Sequence, residues 1–78
     1  MRVYVVTYNE YFAGSGGQEV VGVWADLNSA MRYVHERYQV MEEFVRTCHS
    51  PITWKVDVIP DEGWSDCTIE IVEHAVSN

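Results

Sequence analysis

The sequence predicts an α+β fold: a four-stranded antiparallel sheet with one long helix packed on one face, in the order β-β-α-β-β, as a single domain over residues 1–78. Three observations carry this. Both ends of the chain hold short runs of β-branched and aromatic residues. One apolar stripe at helical period occupies the middle. Gly, Pro, Asp and Ser clusters punctuate the joins.

Arg2 to Tyr8 reads RVYVVTY and forms the first strand, Val3, Val5 and Thr7 on one face and Tyr4, Val6 and Tyr8 on the other. Asn9 to Gln18 carries three glycines in four residues and reads as a long connection. Glu19 to Ala25, EVVGVWA, pairs antiparallel with the first strand. Gly22 at its centre marks a bulge or a close approach by a large side chain, with Tyr4 and Tyr8 as candidates. Asp26 caps the helix, with Asn28 as the rival. Leu27, Met31, Val34, Tyr38, Met41, Val45 and Cys48 then recur at spacings of four and three. A helix of about 22 residues would be about 33 Å long, longer than the strands beneath it, so its last turns overhang or bend near Glu42-Glu43. His49-Ser50-Pro51 stops it. Ile52 to Ile59 alternates as a half-buried strand, Pro60 to Asp66 turns the chain, Cys67 to Glu73 is the last strand, and 74–78 reads as a frayed end. The sheet face opposite the helix is left uncovered, and Tyr4, Val6, Tyr8 or Trp24 are expected on it.

Composition limits the chemistry. Twelve Asp and Glu against five Lys and Arg leave a net charge of −7, spread along the chain. Bare nucleic acid repels such a chain, and basic protein surfaces attract it. Hydrophobic residues make up 47%, too many for a disordered segment. No apolar run approaches the length of a membrane span and the N-terminus enters a strand at once, so the chain reads as cytoplasmic with no membrane partner. Cys48 and Cys67 are read as ordinary thiols, with one disulfide as the alternative.

The candidate sites are contact sites. Gly14-Ser15-Gly16-Gly17 lacks the lysine and the following helix of a phosphate loop. The histidines His35, His49 and His74 show no metal-binding spacing, and Cys48-His49 are neighbours that diverge on a helix. No catalytic residue, metal ligand or cofactor is therefore assigned. Asp61, Glu62, Trp64 and Asp66 place carboxylates around an aromatic ring in the last turn, which suits a Lys- or Arg-rich partner; the alternative is a solvated turn with Trp64 folded over the core. Tyr11 and Phe12, beside the glycines, read either as exposed anchors or as a cover for the sheet edge. Glu42 and Glu43 stand on the exposed side of the expected helix and complete the partner-binding set.

The opening VYVVTYNEY, the glycine-rich break and then EVVGVWADLNSAMRYV resemble the start of small, poorly characterised phage and bacterial β-β-α-β-β domains, over Val3 to about Val34. That resemblance implies a fold and no site. Such small acidic phage proteins include inhibitors of bacterial defence, anti-CRISPR proteins among them. The expected function is thus a non-enzymatic acidic inhibitor that occupies a basic, nucleic-acid-handling surface of a CRISPR-type defence complex, in the host cytoplasm if phage-encoded. The alternative is a small structural or regulatory homodimer that uses its open sheet face.

Overall fold

The computed structural model describes residues 1–12, 15–59 and 66–76, at 11, 12, 15, 16 and 66 by their backbone alone. Strand β1 spans Arg2–Phe12, β2 Ser15–Trp24, helix α1 Leu27–Arg37, β3 Gln39–Val40, β4 Val45–Arg46, β5 Thr53–Ile59 and β6 Asp66–Ala75. The strands form one antiparallel sheet in the order β2-β1-β6-β5-β3, with β4 also on β5. The fold is therefore α+β, with the helix packed on one face of an antiparallel sheet.

The first and last long strands lie side by side at the centre, Val6 across from Ile71 and Tyr8 across from Ile69. Alternation along these strands sends Val6, Ile69, Ile71, Val56 and Val58 to one face. There they meet Ala30 and Val34 of α1 in the buried core. Asp26 caps the helix as expected: its carboxylate accepts from the Ser29 N–H and the Ser29 hydroxyl, both at 3.0 Å. Ring contacts seat α1 on its surroundings. Trp24 of β2 packs on Tyr33 with centroids 4.7 Å apart, Tyr38 stacks on Tyr8 at 5.7 Å, and His35 meets Phe44 edge-on at 5.7 Å.

Three expectations are corrected. The helix has 11 residues and ends at Arg37. Tyr38 turns extended while its N–H still closes the last turn on the Val34 carbonyl at 2.9 Å. The outer edge of β5 would otherwise present unpaired backbone groups, and 39–47 supplies partners for it: Met41 N–H donates to the Asp57 carbonyl and Thr47 N–H to the Thr53 carbonyl. Helical spacing of the stripe thus yields to backbone pairing in tertiary context. Between β3 and β4 the edge carries a bulge, because residues 41–44 face only 56–57.

The expected long connection is mostly strand. β1 runs on to Phe12 and β2 begins at Ser15, with Tyr11 across from Gly16 and Phe12 across from Ser15. The third correction concerns the open face. Tyr4, Val6, Tyr8 and Trp24 pack on the helix side, and the opposite set, Val3, Val5 and Thr7, faces away. Gly22 does sit at a bulge and under a large side chain, but that side chain is Trp24 from its own strand: a Cβ on Gly22 would lie 2.9 Å from the indole. Cys48 is exposed, Cys67 is buried, and both are free thiols.

Candidate interaction face

The open face is built by strand register. Val23, Val5, Val72 and Thr53 form one row across β2, β1, β6 and β5. Val20, Thr7, Glu70, Lys55 and Val45 form the next, and Gln18, Asn9, Thr68 and Asp57 the third. Met41 lies opposite Asp57 and Ile59 continues the same side of β5. At the other end the Val76 N–H donates to the Met1 carbonyl, which carries the alternation of β1 and β6 outward.

All the large hydrophobic side chains left exposed among the described residues, Met1, Val20, Val23, Met41, Val45, Ile59 and Val76, fall on this face by register. Val20 and Val23 are 61% and 57% exposed. A lone exposed Val is ordinary; their gathering on one side of the sheet is informative.

The polar middle of the face is internally satisfied. Lys55 pairs with Glu70 at 3.5 Å, the Thr68 hydroxyl donates to Asp57 at 3.2 Å, and the Asn9 amide donates to the Thr68 carbonyl at 3.5 Å. Thr7, Asn9 and Thr53 on this side of the sheet are buried. Thr7 also donates to the Glu70 carbonyl at 3.5 Å.

Charge divides the face into two halves. The half on β2, β1 and the adjoining part of β6 is valine-rich. The half on β5 and the bulge holds a shallow depression of about 280 Å³, lined by Glu42, Glu43, Val45, Lys55, Asp57 and Thr68. Its one cation, Lys55, is already paired with Glu70. Among the described residues no three His, Cys, Asp or Glu side chains group closely enough to hold a metal ion.

Two residues of the expected contact set, Glu42 and Glu43, are exposed and lie at this depression, on the bulge rather than on a helix. Tyr11 and Phe12 belong to the backbone of β1, not to a loop, and Tyr11 is in register with Asp66 of β6. Asp61, Glu62 and Trp64 lie outside the described residues. Reading the residues one by one missed Val20, Val23 and Val45 as surface features. Alternation in β1 would have found the valine face if the aromatic set had been assigned to the helix side.

Beneath the helix, Tyr8 donates to the Cys67 sulfur at 2.9 Å, and this bond, with burial, raises the Tyr8 phenol above its ordinary value. Tyr4 donates to Glu73 at 3.2 Å; desolvation first, then that bond, raises its phenol too. Both contacts fasten core side chains and belong to the scaffold of the face. Among the described residues no helix is long and apolar enough to cross a membrane. Comparison with protein-family models, with curated proteins and with solved structures finds no match.

Proposed function

We propose that this chain is a non-enzymatic acidic binding protein that engages a basic protein surface through its open sheet face. The observation that carries the reading is the depression at the bulge. Glu42, Glu43 and Asp57 meet there beside exposed Val45, with a single lysine that is already paired. Carboxylates bordered by apolar surface suit an Arg or Lys whose alkyl stem also needs cover. The net charge of −7 adds long-range attraction to any basic patch and repulsion from exposed phosphate.

The partner class is a basic, nucleic-acid-handling surface. What supports a bacterial defence complex as the owner of that surface, in the manner of an anti-CRISPR protein, is the resemblance of Val3 to Val34 to phage domains.

The test is capture from a bacterial lysate by tagged protein at low and high salt, with two charge-matched variants. E42Q/E43Q should lose capture of the basic protein. E19Q/E36Q, which removes the same charge from the helix side, should keep it. Equal loss in both variants, or salt-insensitive capture, would reject the depression as the contact.

A further inference from the structure

The valine-rich half of the open face has a different task from the acidic half, and we infer that a second copy of this chain covers it, face to face about a two-fold axis. The inference rests on the reading of the open face as the contact surface and extends it. Four observations select a second copy and this geometry.

The first is the condition of the sheet edges. Edge-to-edge pairing needs a regular strand with free backbone groups. β2 is broken by a bulge between its pairings with Val6 and Thr7, and the β3–β4 edge is broken by the bulge at 41–44. Both edges are thus poor templates, which leaves the face.

The second is charge. A two-fold contact requires a surface to complement itself. In the row Val23, Val5 and Val72, and at Val3 and Val20 beside it, there is no Asp, Glu, Lys or Arg side chain. A two-fold axis through this patch and parallel to the strands sends the two Glu42–Glu43 depressions to opposite outer ends of the pair, so the strongest like charges are kept apart.

The third is the burial pattern. A single 11-residue helix covers one side of a six-stranded sheet, and every exposed large hydrophobic among the described residues lies on the other. The fourth is area. From Val3 to Thr7 the patch spans about five residues on each of three strands about 4.8 Å apart, about 240 Å² per copy. Twice that lies below the roughly 1,000 Å² at which stable interfaces begin. The pair is therefore reversible and concentration-dependent, and it presents two acidic depressions at once, so it binds a partner with two basic sites more tightly than a single copy does.

Sedimentation equilibrium over micromolar to millimolar protein tests this. The weight-average mass of the wild-type chain should rise from 9.0 kDa towards twice that value. V20E/V23E, at two positions that are already exposed, should weaken association at least tenfold with an unchanged far-UV CD spectrum. Added salt should strengthen the pair by screening its net charge, whereas capture of a basic protein should weaken. Wild type that stays at monomer mass throughout overturns the inference, as does an undiminished dimer in V20E/V23E. Neither result touches the acidic depression: E42Q/E43Q self-associates and V20E/V23E still captures a basic protein if the two halves are separate as argued. Photo-crosslinking from Val23 to a different protein, with none to a second copy, would assign the valine patch to that protein and overturn self-pairing.

Discussion

Gly22 shows how one residue ties the strand to the helix. With no Cβ it lets the Trp24 indole fold back over β2, and from there the ring reaches Tyr33. In Gly22→Ala the new methyl would lie 2.9 Å from the ring, so the ring must shift against Tyr33. We expect a loss of about 1–2 kcal/mol, the usual scale for overpacking, read as a lower urea midpoint with altered tryptophan emission. The sequence signals the close approach at Gly22, because an isolated glycine in a β-branched run has few other uses. It does not signal which ring arrives, since that depends on the rotamer of Trp24. Tyr8 and Tyr4 give the pH behaviour at the same scale. Both phenols are raised in the fold above the ordinary value of 10.0, so the folded chain keeps protons that the unfolded chain releases. Stability from these groups is fully present below about pH 10 and is lost as pH rises through their folded values. The melting temperature of the wild type should fall more between pH 9 and pH 11 than that of Y4F/Y8F. A parallel fall in both proteins would remove the tyrosines from the account.

At the scale of elements, the helix and the edge that follows it carry the main lesson. Asp26 is legible as a cap because it directly precedes the apolar repeat, and its carboxylate does hold the Ser29 N–H. With only 11 residues in α1, the cap is a large share of its local support. Asp26→Ala should cost about 1 kcal/mol, checked by chemical unfolding. The far end of the helix is illegible for a physical reason. Tyr38, Met41, Val45 and Cys48 keep the helical spacing, but whether 39–47 continues as helix is settled by β5, an element downstream that needs a partner for its outer edge. Long-range pairing of that kind leaves no trace in local periodicity. The same displacement moves Glu42 and Glu43 from a solvated helix flank to a bulge beside Lys55 and Asp57. The acidic character of the site is thus readable from sequence, whereas its location is not.

For the whole molecule, stability draws on one face of the sheet and the proposed binding on the other. Val6, Ile69 and Ile71 are fully buried under α1 at the join of the two central strands. Ile71→Ala should therefore cost about 2–5 kcal/mol, a large part of what a domain of this size has available. The α+β class, the four long strands and, among the described residues, a sheet face without a helix were all legible, because hydrophobic alternation and a single helical stripe admit few other packings. Which residues line that face was not. β1 is apolar on both sides, and the choice between its valine set and its aromatic set is made by the rings that the helix needs around it. That choice puts the exposed valines opposite the helix and leaves the acids of the bulge at one end of the same surface.

The claim that a second copy covers the valine half of the open face has a direct test in valine methyl and backbone NMR spectra over a concentration series. The account predicts that Val3, Val5, Val20, Val23 and Val72 shift progressively as concentration rises, while Val34, Val56 and Val58 in the core keep their positions. Shifts confined to the helix side, or spectra unchanged up to millimolar concentration, would contradict it.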